Sequence, residues 1–210
     1  MKLNKWIVLL CLLSVVMTLL LFNQLPEQVP RHWNIHGEVD AYSGKVGVLF
    51  TALLPLGLYL LMIFLPKIDP KRKSYMKHVK AYLMTQYVIV VFMLIIHWST
   101  IAFAMGYPIN MSKVVLIGIG IMFIIIGNYM TQIRQNFFFG IKTPWTLSNE
   151  VVWKKTHRLG GYMFMASGMV SILSSVLKGS LGYYLMFTTI MLAAFVPIIY
   201  SYLLFKKEQL

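Results

Sequence analysis

Acidic residues are scarce in this chain. Asp and Glu number 6 against 19 Lys and Arg in 210 residues, and charged residues together make up only 12%. A soluble domain carries about 25%. With 59% hydrophobic residues and a mean hydropathy of +0.72, this shortage excludes an ordinary water-soluble globule, because so short a chain cannot hide that much apolar surface. It also excludes disorder, which requires low hydrophobicity. A single cysteine, Cys11, excludes an intramolecular disulfide framework and a multi-cysteine metal site. Catalytic motifs are missing as well. There is no HExxH, no GxSxG and no carboxylate within an apolar run, so neither an enzyme nor a cofactor is expected. A net charge of +13 would suit nucleic acid, but in so apolar a chain basic loops beside a membrane account for it better. No direct nucleic-acid contact is expected.

Long stretches without Asp, Glu, Lys or Arg are present instead: 6–26, 46–66, 81–112, 114–133, 159–177 and 179–205. A bilayer core about 30 Å thick needs roughly 20 apolar helical residues to cross it. The third run is too long for one crossing, and Gly106, Tyr107, Pro108 and Asn110 within it form a loop signal. The expected fold is therefore an all-α integral membrane protein, a single domain with a bundle of six transmembrane helices near 6–23, 46–66, 79–104, 113–133, 159–177 and 182–205. All but four of the 19 basic residues fall on one side of this arrangement, the exceptions being Arg31, Lys45, Lys113 and Lys178. Basic loops stay cytoplasmic, which puts both termini inside. The first run, Trp6 to Phe22, is long for a signal peptide, and Asn23-Gln24-Leu25-Pro26 offers no small-x-small cleavage site, so an uncleaved anchor is expected, with Cys11 inert in lipid.

Apart from His97, no Asp, Glu, Lys, Arg or His lies at membrane depth. His97 is expected to be a neutral imidazole hydrogen-bonded to a neighbouring helix. Ser167, Ser171 and Ser175 recur every four residues near Gly161 and Gly168, a pattern that lets two helix backbones approach closely. Asn128, in the last third of its run, is expected to hydrogen-bond to another helix. The 15 Met and the 13 Phe and 12 Tyr are membrane bulk first and an adaptable ligand surface second.

Recognition must then sit in the bundle or in two long loops. The outer loop, 24–45, is dense in turn formers and aromatics. His32 and His36 stand four apart near Glu38 and Asp40; with Pro30 before them, Gly37 after them and no third His or Cys, a structured cap is expected rather than zinc. Trp33 and Tyr42 would be its interface anchors. In the inner loop, 134–158, Thr143 before Pro144 suits an N-cap with proline at the first helical position, without a capping box. If 146–158 is helical, Lys154, Lys155 and Arg158 share one arc, while Trp153 and His157 pair on another. A basic, aromatic-anchored segment on anionic lipid is one reading of this loop.

The run GNYMTQIRQNFFFGIKTPWTLSNEVVWKKTHRLGG closely resembles the signature of the SdpI family of bacterial membrane immunity proteins. The outer segment PRHWNIHGEVDAYSGK resembles the DUF1648 segment found at the N-terminus of many such proteins. The resemblance implies immunity to a secreted peptide toxin at the plasma membrane. From the type member it also implies a signalling role, in which the toxin-engaged protein holds a cytosolic transcriptional repressor at the membrane. The matched positions are Asn128, Arg134, Asn136, Gly140, Lys142, Thr143, Pro144, Trp145, Thr146, Leu147, Trp153, Thr156, His157, Arg158 and Gly160, expected to dock the partner. Family members often carry proline where this chain has Thr131 and Gln135, so helix four is expected to run further into the cytoplasm. His32, Trp33, Asn34, Asp40 and Lys45 are expected to face the toxin. A small transporter or exporter of a toxic amphiphile is the alternative; export would need an ion gradient, and immunity would not.

Overall fold

The computed structural model describes residues 3–177 and 179–208; Lys2 and Lys178, counted above in the charge balance, lie outside the described residues. Helices α1 (Lys5–Leu21), α2 (Gly47–Ile68), α3 (Val79–Ala104), α4 (Met111–Met130), α5 (Pro144–Ser148), α6 (Glu150–Ser174) and α7 (Leu181–Glu208) form the molecule, with a hairpin of strands β1 (Gln28–Trp33) and β2 (Val39–Gly44) between α1 and α2. The long helices pack in chain order, α1 on α2, α2 on α3 and α3 on α4, and α6 lies against both α4 and α7. Among the described residues, five helices, α1 with its following turn, α2, α3, α4 and α7, are long and apolar enough to cross a bilayer.

The bundle is apolar outside and partly polar inside. On α1 the buried positions are Cys11, Ser14 and Thr18, while Leu12, Leu13, Leu19 and Leu20 are exposed. In water that distribution would be costly; in lipid it is the expected one. Cys11 does not face lipid, contrary to what its run alone led one to expect. It is fully buried with Tyr59, Ile63, Val90 and Leu94 where α1, α2 and α3 meet. His97 joins these helices as expected, its Nε2 lying 2.9 Å from Thr18 Oγ1 on α1 and its Nδ1 3.0 Å from Thr51 Oγ1 on α2. A neutral imidazole needs one donor and one acceptor, and two hydroxyls can supply both.

Helices α4 and α6 touch backbone to backbone. A Cβ at Gly168 would lie 2.5 Å from the Gly120 carbonyl oxygen, and one at Gly127 would lie 2.6 Å from that of Gly161. Ser171 Oγ donates to Leu116 O at 2.6 Å, and Ser167 Oγ donates to Thr189 O of α7 at 2.7 Å. The small-residue stripe is thus the packing face of α6 on both neighbours. Asn128 departs from its expected role: it is exposed on α4 rather than packed against another helix.

Three boundaries differ from the charge-free runs. The chain is not all-α, because segment 24–45 holds a two-stranded antiparallel sheet. Helix four stops at Met130 rather than running on, even without the prolines. The reason is side-chain capture beyond its end: Gln135 Nε2 donates to the carbonyls of Thr146 and Leu147 at 2.8 and 2.7 Å, bonds that a continued helix could not reach. The fifth apolar segment belongs to a helix that starts at Glu150. Asn149 caps it, accepting from the Val151 and Val152 amides at 2.8 and 3.1 Å.

Candidate functional site

The chemistry-bearing residues gather at the two ends of the bundle. At one end the hairpin is a pinned cap. His32 Nδ1 and Asp40 Oδ1 are 2.6 Å apart across the strands, and both side chains are exposed. Lys45 Nζ donates to Glu27 Oε1 at 2.8 Å and lies 5.3 Å over the Phe22 ring. Asn34 shapes the tip, its Oδ1 accepting from the His36 and Glu38 amides at 2.8 and 3.1 Å. Trp33 is not a free interface anchor; its ring meets Phe103 at the end of α3 edge-on, with centroids 5.7 Å apart. Tyr42 stays exposed. The hairpin tip rests against Ser112 of α4. Beside it a cleft of about 360 Å³ opens between His36, Asn110, Ser112, Ser174, Ser175 and Tyr183.

At the other end, loop 134–149 is folded by buried polar side chains. Asn136 is fully buried and acts as a template. Its Oδ1 accepts from the Phe138 and Phe139 amides at 3.0 and 2.6 Å, and its Nδ2 donates to the Arg134 and Phe139 carbonyls at 2.9 and 2.8 Å. The Tyr75 hydroxyl sits 3.1 Å from Asn136 Oδ1 and 3.0 Å from Oδ2 of buried Asp69. Asp69 also accepts from the Lys71 and Phe137 amides at 2.7 and 2.9 Å. Burial and this neighbouring carboxylate push the Tyr75 hydroxyl well above its usual range. The Arg134 amide donates to His78 Nδ1 at 3.2 Å, and the Lys71 ammonium to Gln135 Oε1.

Trp153 and His157 are stacked as their spacing predicts, with centroids 4.1 Å apart. They do not lie on the surface: Trp153 is 1% exposed and His157 is 1% exposed. Trp153 Nε1 donates to Ile133 O at 2.8 Å, closing the end of α4 onto α6. His157 Nδ1 donates to Trp153 O at 2.8 Å, which leaves Nε2 to accept the Ile141 amide at 2.9 Å. Protonation would destroy that acceptor. Burial draws the His157 pKa down to about 4; His78 is likewise held down to about 4, first by burial and then by the Arg134 charge.

Thr143 is the N-cap of α5 with Pro144 at the first helical position, as expected. A capping box is nevertheless present, because Thr146 takes the reciprocal role: Thr146 N donates to Thr143 Oγ1 at 3.1 Å and Thr143 N to Thr146 Oγ1 at 2.9 Å. Thr143 Oγ1 also lies 3.0 Å from Ser201 Oγ on α7. Trp145 is half-buried against Tyr202, centroids 5.0 Å apart.

The matched positions therefore divide. Asn136, Thr143, Thr146, Trp153, Thr156, His157 and Gly160 are buried, Gly140, Trp145 and Leu147 are intermediate, and Asn128, Arg134, Lys142, Pro144 and Arg158 are exposed. Asp69, Tyr75, His78 and Gln135 belong to the same network but were not foreseen. Only the acidic character of Asp69 in a loop otherwise rich in Lys and Arg signalled a special position there.

Residues 132–201 match the SdpI/YfhL protein family, and residues 9–56 match DUF1648, a domain of unknown function. Immunity protein SdpI of Bacillus subtilis (strain 168) is 27% identical over 207 residues, covering 99% of this chain and 98% of that protein. No solved structure matches. With its apolar helices, the chain is a multi-pass bacterial membrane protein whose N-terminal part matches DUF1648 and whose C-terminal part matches the SdpI/YfhL protein family.

Proposed function

We propose that this protein is a non-enzymatic membrane immunity protein that protects its cell against a secreted peptide toxin. The observation that carries the reading is the likeness to Immunity protein SdpI along essentially the whole of both chains. In this reading six helices cross the membrane and both termini are cytoplasmic. Helix α6 supplies the sixth crossing. Its ionisable residues are confined to 150–158, and its remaining turns pack between α4 and α7, where small polar residues replace lipid-facing ones. The charged first turns, 150–158, lower the hydropathy of α6 below that of the other five helices.

The hairpin end then faces outward, where a secreted peptide arrives first. His32, Trp33, Asn34, Asp40 and Lys45, with the cleft beside His36, form the toxin-facing surface. The opposite end faces the cytosol and also touches lipid. There the exposed members of the signature, Arg134, Lys142, Pro144 and Arg158, with half-buried Trp145, would dock a cytosolic transcriptional repressor, and the buried members hold their shape. Asp40→Ala removes an exposed anion and its His32 contact without opening the core. It should lower the toxin concentration survived by about tenfold at an unchanged membrane level. Unchanged survival for both Asp40→Ala and Trp33→Ala would remove the hairpin from the toxin surface.

A further inference from the structure

A cleft of about 540 Å³ lies at the loop end, where Gln135 and Trp153 of the buried network form part of its wall. Lys71, Lys77, Arg134 and Lys154 converge on it from three separate segments, with Ser74 beside them and Glu150 as the one acid. Glu150 does little to neutralise them, since its contact is a 3.9 Å pair with Lys154 between exposed groups. Four cations brought together at that cost in repulsion form an anion site.

Depth and surroundings identify the anion. Lys154 lies five residues before the apolar part of α6 begins at 159, or roughly 7 Å along the axis at 1.5 Å per residue. The headgroup layer on each side of a bilayer is about 5–7 Å thick. Arg134 follows the end of α4 by four residues. The segments carrying these cations also expose large apolar side chains: Met76 at 74%, Phe137 at 42% and Phe138 at 37%. These side chains flank the cleft rather than line it, and a surface set into the lipid interface would take them out of water. We propose that this cleft is a binding site for the phosphate of an anionic phospholipid headgroup, with Lys77, Arg134 and Lys154 as its ligands. The proposal rests on the reading that α6 crosses the membrane. It is tested without that reading, because detergent imposes no sidedness.

The experiment uses the full chain in a mild detergent. Its thermal midpoint is followed while phosphatidylglycerol, phosphatidylcholine of the same acyl chains, inorganic phosphate or poly-glutamate is titrated in. Phosphatidylglycerol should raise the midpoint saturably and the other three should not. Each cation beside an anionic headgroup is worth about a factor of five in affinity, so Lys77→Gln with Arg134→Gln should weaken the lipid about 25-fold. Lys206→Gln with Lys207→Gln, an equal charge change at the end of α7, should leave it unaltered. If the first pair lowers the unliganded midpoint, Lys154→Gln alone replaces it, with about a fivefold loss expected. An equal loss in both double variants, or an equal shift with phosphatidylcholine, would overturn the site. A matching shift with inorganic phosphate would assign the cleft to a free anion, and one with poly-glutamate alone to an acidic protein segment; each would overturn the lipid assignment.

Discussion

At the scale of single residues, the loop end is organised around one imidazole. His157 can accept the Ile141 amide only while neutral, and Gly140 makes room for it. Gly140 has φ +106°, and a Cβ there would overlap His157 Nε2. Gly140→Ala should therefore cost about 2–4 kcal/mol, from left-handed backbone strain plus loss of a buried hydrogen bond, seen as a lowered thermal midpoint in detergent. An unchanged midpoint would contradict the packing. The same imidazole sets a pH dependence. His157 and His78 titrate near 6.5 when unfolded and near 4 when folded, so between those values the unfolded chain binds more protons. Stability should be complete above about pH 6.5 and decline as pH falls toward 4. Midpoints measured at pH 7.5 and 5 should show the decline, and His157→Gln should reduce it; an undiminished slope in that variant would assign the sensitivity elsewhere. The pairing of Trp153 with His157 was legible in their spacing. Their burial was not, because a basic segment with scattered aromatics has the same composition on a surface as in a joint, and the partners that bury them, Ile133 and Ile141, carry no polar signal.

At the scale of elements, charge-free runs located the apolar helices well, since lipid leaves little freedom in where charge can stop. They failed where caps and side chains decide the ends. Asn149 starts α6 at Glu150, and Gln135 bonds fold the chain back after α4, both through short-range hydrogen bonds that run counting cannot see. The hairpin was hidden for a different reason: Pro30 lies in β1 and its register shifts on both sides of His32, which erases the alternation that marks a strand. The element whose role matters most is α6, because the sidedness of everything after it depends on whether it crosses. Reporter fusions at Asn110 and Gly179 should read outside, and fusions at Ser74 and Asn149 inside. A reporter at Gly179 that reads inside would place α6 on one face of the membrane and leave five crossings.

At the scale of the whole molecule, the chain has two dissimilar ends joined by a tightly packed bundle. The hairpin end is stapled by the His32–Asp40 contact and the Lys45–Glu27 ion pair and bears a small cleft; the loop end is held by buried amides and bears a basic one. Close contacts between α4 and α6 link the two, with Gly120 and Gly168 near the middle and Gly127 and Gly161 near the loop end bringing the backbones together. Immunity by capture or masking at the hairpin end needs no energy source, whereas clearance of an amphiphile by export needs an ion gradient. The central claim is therefore tested by survival. A toxin-sensitive bacterium expressing this chain is challenged with secreted antimicrobial peptides from related bacteria, with and without an uncoupler at a dose that host cells tolerate. The account predicts protection against at least one peptide that persists under the uncoupler. Protection that disappears with the gradient, or none against any peptide at verified membrane levels, would contradict it.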